Sequence, residues 1–345
     1  MGKEAAIIFL FLSFYSIEIL VAVAATSPLN SSTDEHSLLA IKSHIIASDP
    51  NNILASNWSV GTDFCTWIGI TCSQKHLRVT KLILFTRGLQ GTIAKEIGKL
   101  SFLTNLNLAQ NNLSGSIPSS LGDLKALIEL DLSSNRLSGE IPLFLGQLSN
   151  LEYLGLTFSS LDGTMFEDHF AKLSKLSDLR LSSLKFKVKL DWVPPFQLRR
   201  LVLKSCDIGG QFPQWVQMQK ELEYLEMNNC SISDTLSKSL YNSKNLTSLY
   251  LSNNHIQGPI PNNISQMLPF LNYLFLDQNR INGSLPDSLC GLKYLLLMDL
   301  SKNNLSGYIP ECLGNLQYLL YMKPATYNGC PRDKSASTPM KYEDL

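Results

Sequence analysis

The stretch DLSSNRLSGEIPLFLG, residues 131–146, sets Asn135, Gly139 and Pro142 at fixed places among unevenly spaced leucines. A helical face repeats every 3.6 residues and a strand face every 2, and neither period accounts for the whole stretch. The same arrangement recurs as NLAQNNLSGSIPSSLG from 107, YLSNNHIQGPIPNNIS from 250, FLDQNRINGSLPDSLC from 275 and DLSKNNLSGYIPECLG from 299. Units begin at Val79, Leu103, Leu127, Leu151, Leu176, Leu198, Leu222, Leu246, Leu271 and Leu295, and the tenth ends near Tyr318. Self-similarity near 24 residues is the mark of a solenoid, in which each unit buries its apolar face only by stacking on its neighbours.

Each slot of LxxLxLxxNxLxGxIPxxLGxL has a physical reading. The first six residues form a short strand whose fourth and sixth side chains point inward, so that strands of successive units pair in parallel. The ninth slot holds Asn111, Asn135, Asn254, Asn279 and Asn303, whose amides can serve backbone groups of neighbouring turns. Cys206 and Cys230 occupy that slot in units six and seven and read as buried thiols. The Gly permits unusual backbone angles, and the Pro fixes a turn without needing a donor.

This pattern is that of the leucine-rich repeat, and its GxIP element resembles the plant extracellular type. The fold class expected is α/β: a solenoid of ten roughly 24-residue repeats with parallel strands on the concave face and an N-terminal disulfide cap. In that cap, STDEHSLLAIKSHIIASDP from 32 reads as a helix, with Ser32 and Glu35 fitting a capping box and Leu38, Ile41 and Ile45 on one face. In NWSVGTDFCTWIGITC, Cys65 and Cys72 are expected to form a disulfide, and Trp58 and Trp67 to be core. The stretch resembles the N-terminal cap of plant leucine-rich-repeat receptor kinases and receptor-like proteins. Units four and five break the pattern, and residues 191–236 resemble receptor-like proteins of the type that perceive a fungal xylanase. The first three units resemble the receptor-kinase branch instead.

The domains expected are a signal peptide at 1–25, a cap at 26–78, repeats at 79–318 and an irregular tail at 319–345. The leader is read from the apolar run AAIIFLFLSFYSIEILVAVAA, interrupted by Glu18 and ending in small residues. No later segment approaches eighteen unbroken apolar residues, so the expected location is the secretory pathway, leading to the apoplast or the outer face of the plasma membrane. Sequons at Asn30, Asn57, Asn112, Asn245, Asn263, Asn282 and Asn304 are candidate glycosylation sites. Asn229 is an eighth, on the concave edge, where a glycan would narrow the usable surface. Of the remaining cysteines, either Cys290–Cys312 or Cys312–Cys330 could bridge.

The formal net charge of zero gives no electrostatic case for nucleic acid. The five histidines share no metal-ligand spacing, and hydrolase, metalloprotease, P-loop and kinase motifs are missing. The expectation is therefore no catalysis, no metal and no cofactor. Binding suits a solenoid, because outward residues of the concave strands do not build the core. The candidates are Arg199, Arg200, Lys204, Glu223, Tyr224, Glu226, Tyr250, Tyr273, Phe275 and Asp277. Aromatic residues and arginine are favoured at interface hot spots. The period places Tyr250 beside Phe275 in one row, and Tyr224 and Tyr273 in another with one rung between. The resemblance implies a plant cell-surface receptor-like protein, whole or truncated. Such a protein would bind a peptide, protein or glycan elicitor in defence and signal through co-receptor kinases. The alternative is a soluble inhibitor of a microbial wall-degrading enzyme, similar to the polygalacturonase inhibitors.

Overall fold

The computed structural model describes residues 31–45, 53–236, 240 and 243–323. The expected leader, Asn30 and Cys330 lie outside them.

One twelve-stranded sheet runs the length of the molecule. Its first strand, Ile70–Cys72, is antiparallel to Val79–Ile83. From there to Tyr321–Lys323 each strand pairs in parallel with the next. Equal slots meet: Leu201 faces Leu225, then Leu249, then Leu274, all 0% exposed. A one-residue slip would turn that leucine row to solvent, which is what fixes the register. The opposite side carries short 3-10 turns such as Ser119–Asp123, Leu143–Gln147 and Asp287–Gly291, each entered from a proline.

The ninth-slot asparagines stitch unit to unit. Asn254 Nδ2 donates to Met227 O and Leu251 O (2.8 and 2.9 Å), and its Oδ1 accepts from Cys230 N and Ile232 N (3.0 and 3.1 Å). Cys206 and Cys230 are buried free thiols in the same slot, and Cys230 Sγ donates to Leu203 O at 3.2 Å. The residue before this slot takes a left-handed φ in every unit, from Thr86 (55°) to Lys302 (55°), although none of the ten is glycine. No sequence signal marked this, because the slot holds Thr, Gln, Ser, Phe, Asn and Lys alike.

In the cap, Leu38, Ile41 and Ile45 are buried together, and the Trp58 and Trp67 rings stack with centroids 5.4 Å apart. Cys65 and Cys72 are bonded. The helix Ser31–Ile45 is already running at Ser31, so Ser32 lies within it instead of capping it. Asp34 ties the cap to the first unit: its carboxylate accepts two bonds from Arg78 (2.9 and 2.8 Å) and one from Val79 N (2.9 Å).

In unit four, Phe166 stands where six of the other units have proline. Its N–H, which proline lacks, donates to Nδ1 of the buried His169 at 3.0 Å. Unit five has no helix, and Phe170, Trp192, Phe196 and Trp215 pack there with centroids 5.5–6.2 Å apart. At the far end Cys290 and Cys312 are bonded, which settles the open pairing. The expected irregular tail needs one correction. Tyr321–Lys323 is a strand paired with Leu297–Asp299, so the sheet passes residue 318. Stacking on the open edge of unit ten supplies the partners that make it a strand. No helix among the described residues is long and apolar enough to cross a membrane.

Candidate functional site on the concave face

The register puts the candidates in rows. One row reads Asp178, Arg200, Tyr224, Ser248, Tyr273, and the next Arg180, Val202, Glu226, Tyr250, Phe275. Tyr250 and Phe275 are therefore rung neighbours, as the period implied, with centroids 5.0 Å apart and planes 12° apart. Tyr224 joins them diagonally, 5.3 Å from Tyr250. Arg200 lies over the Tyr224 ring at 4.2 Å.

The stack continues past the candidates. Arg200 Nε lies 3.5 Å from Asp178, which also receives two bonds from Arg180 (2.9 and 2.8 Å). Arg180 lies over the Tyr153 ring at 4.9 Å, and Tyr153 OH donates to Asp131 at 3.0 Å. Burial, the nearby Asp131 charge and that hydrogen bond push the Tyr153 phenol far up. The Asp178 hydrogen bonds hold Arg180 charged. Gly155 lies beneath this group, and a Cβ there would sit 2.6 Å from Asp131 Oδ1 and 2.9 Å from Tyr153 OH. Asp131, Tyr153, Asp178 and Arg180 escaped the sequence reading, although they occupy the same outward slots in units three to five.

Other candidates fall beside the stack. Lys204 Nζ pairs with Glu226 Oε1 at 2.9 Å, and Glu226 also accepts from Tyr224 OH and Asn228 Nδ2, both at 3.0 Å. Three donors close over Glu226 and leave it 8% exposed, so it is buried and not an open contact. Arg199 and Glu223 form an exposed pair at 2.7 Å, at a polar cleft of about 340 Å³ that also takes in Arg200 and Tyr224. Asp277 accepts from Ser252 Oγ. The Asn229 amide is bonded to Ser205 Oγ and Asn253 Nδ2 (3.0 and 2.9 Å). Among the remaining sequons, Asn245, Asn263, Asn282 and Asn304 are exposed, and Asn57 and Asn112 half-buried. The hydroxyls of Tyr250 and Tyr273 have no hydrogen-bond partner among the described residues. No group of three or more metal-ligating side chains occurs among those residues.

The chain is thus a solenoid with a clamped cap and an aromatic, ion-paired concave face. The chain carries leucine rich repeats and is similar to plant receptor-like proteins and leucine-rich-repeat receptor kinases. The leucine rich repeat N-terminal domain matches residues 31–73, and the leucine rich repeat matches 102–124, 126–148, 245–267, 270–292 and 294–316. Receptor-like protein EIX2 of Solanum lycopersicum is 40% identical over 127 residues, which is 36% of this chain and 12% of that protein. The ectodomain of the receptor kinase GASSHO1/SCHENGEN3 from Arabidopsis thaliana, solved with CASPARIAN STRIP INTEGRITY FACTOR 2, superposes with a TM-score of 0.70. The two are 31% identical, and the match covers 85% of this chain and 35% of that one. The Arabidopsis receptor kinase HAESA, solved with the peptide hormone IDA and the co-receptor SERK1, gives 0.73 at 28% identity, covering 83% and 48%. The chain thus spans less than half the length of each of these relatives.

Proposed function

We propose that the concave strip from Tyr153 to Phe275 is the ligand-binding surface of a plant receptor-like protein. It works outside the cell, takes a peptide or protein elicitor in defence and signals through partner receptor kinases. One observation carries this reading: the unbroken stack of Tyr153, Arg180, Asp178, Arg200, Tyr224, Tyr250 and Phe275 across six units. Its geometry favours a peptide or protein over a sugar at this place. Tyr224 lies under Arg200 and packs against Tyr250, which stacks on Phe275, so the ring faces at these three contacts are taken up inside the stack. Ring edges carry positive charge and meet carbonyl or carboxylate oxygens well, whereas a sugar ring would need a free face. The unbonded Tyr250 and Tyr273 hydroxyls add donors for the same acceptors.

The test uses purified fungal xylanase as probe, the protein that the resemblance suggests, with calorimetry on the full chain. Tyr250→Ala combined with Phe275→Ala should weaken binding by at least about tenfold while the melting curve stays close to the parent's. Undiminished affinity in that variant would refute the concave strip as the site.

A further inference from the structure

The flank on which the concave strands begin changes character along the molecule. The residue just before each unit's first leucine marks this flank. In the middle units it is polar and tied from rung to rung. Asn150 Nδ2 donates to Lys125 O (2.9 Å), Lys175 Nζ to Asn150 Oδ1 (2.8 Å), and Asn245 Nδ2 to Lys220 O (3.0 Å). At the last three such positions, before Leu271, Leu295 and Leu319, stand Phe270, Tyr294 and Tyr318, exposed by 51, 50 and 49%. These rings are not closed into a tight stack: Phe270 and Tyr294 stand 6.3 Å apart and tilted by 36°.

A cleft of about 360 Å³ opens at Tyr294 and Tyr318, and Lys293, Asn315 and Gln317 border it. None of the polar side-chain groups of these five residues has a hydrogen-bond partner among the described residues. Flat apolar rings therefore stand beside a set of unbonded amides, hydroxyls and one ammonium. An apolar protein anchor pressed into this cleft would bury those groups unpaired, at a cost of about 1–3 kcal/mol each. A pyranose ring meets both halves of the surface. Its C–H groups carry slight positive charge and fit the negative face of an aromatic ring, and its hydroxyls can donate and accept at the amides.

We propose that the flank from Phe270 to Tyr318 binds an oligosaccharide of pyranose rings, with sugar faces on the aromatic rings and hydroxyls on Asn315, Gln317 and Lys293. The site is separate from the concave strip and does not depend on its function. The probes are β-1,4-linked hexasaccharides of glucose, xylose and N-acetylglucosamine, titrated into the full chain by calorimetry. At least one should bind. Tyr294→Ala with Tyr318→Ala should then weaken it by about tenfold or more, and Asn315→Ala with Gln317→Ala by several-fold. Tyr250→Ala with Phe275→Ala should leave it unchanged. All the flank substitutions are at exposed positions, and melting curves matching the parent's establish that the variants fold. The proposal is overturned if none of the three saccharides binds, or if binding survives both flank pairs. It is also overturned if the flank pairs abolish capture of a protein partner while no saccharide binds.

Discussion

Cys230 performs part of an amide's task. In the next unit Asn254 donates to two carbonyls and accepts two N–H groups, whereas the Cys230 thiol donates at 3.2 Å to one carbonyl of the unit before and is a weak acceptor. Cys230→Asn should restore the missing acceptor and raise stability by about 1 kcal/mol, seen as a melting temperature higher by about 2–4 °C. A lower melting temperature would mean that the slot has been moulded around sulfur. Burial also pushes the Cys206 thiol up to about 11 and Cys230 up to about 12. The unfolded chain loses these protons near 9.0, below the folded values. Each thiol's contribution is therefore full at neutral pH. It should fall by about 1.4 kcal/mol per pH unit as pH rises from about 9 towards the folded values. Alkaline melts of the parent against Cys206→Ser with Cys230→Ser measure this, and parallel slopes would contradict it. That these cysteines are buried was legible, because the repeat assigns their slot. The burial of Glu226 was not, since Lys204, Asn228 and Tyr224 come from two different rungs to cover it.

The cap and the closing units carry the tests at the level of elements. The Asp34–Arg78 pair joins the cap helix to the start of the first repeat's strand, Val79–Ile83, with both side chains nearly out of solvent. Arg78→Ala would leave the Asp34 carboxylate buried without its partner and should cost about 3–5 kcal/mol, measured by denaturant unfolding. A loss below about 1 kcal/mol would show that water reaches Asp34. The pair was invisible in the sequence because its partners are 44 residues apart and belong to different elements. Ser32 looked like a cap residue for the opposite reason: a local pattern was present, but the helix starts earlier. The Cys65–Cys72 bridge was legible from its short spacing. The Cys290–Cys312 bridge needed the register, which puts the turns Asp287–Gly291 and Glu311–Asn315 on adjacent rungs. The strand Tyr321–Lys323 was missed because the Pro324, Asn328 and Gly329 that follow it do not fall in the slots of the repeat, while its pairing depends only on the rung beneath.

For the whole molecule, the repeat period carried most of the information. It specified which side chains share a row, and so the Tyr250–Phe275 contact. It could not show that the row is one continuous stack, because Arg180 and Arg200 meet through Asp178 only after side chains choose their rotamers. That meeting has a kinetic consequence. Arg180 and Arg200 are balanced by Asp178 and the nearby Asp131, Lys204 by Glu226, and Arg199 by Glu223. With its charges cancelled at home, the concave face projects little field into solution and cannot draw a ligand in from a distance. Association should run at the unassisted rate of about 10⁵–10⁶ M⁻¹s⁻¹ and change little between low and high salt, as stopped-flow mixing would show. A steep fall with salt would reveal an unneutralised patch. Selectivity among ligands then rests on how long each one stays, so under the proposed receptor function the signal would be timed by residence and not by capture.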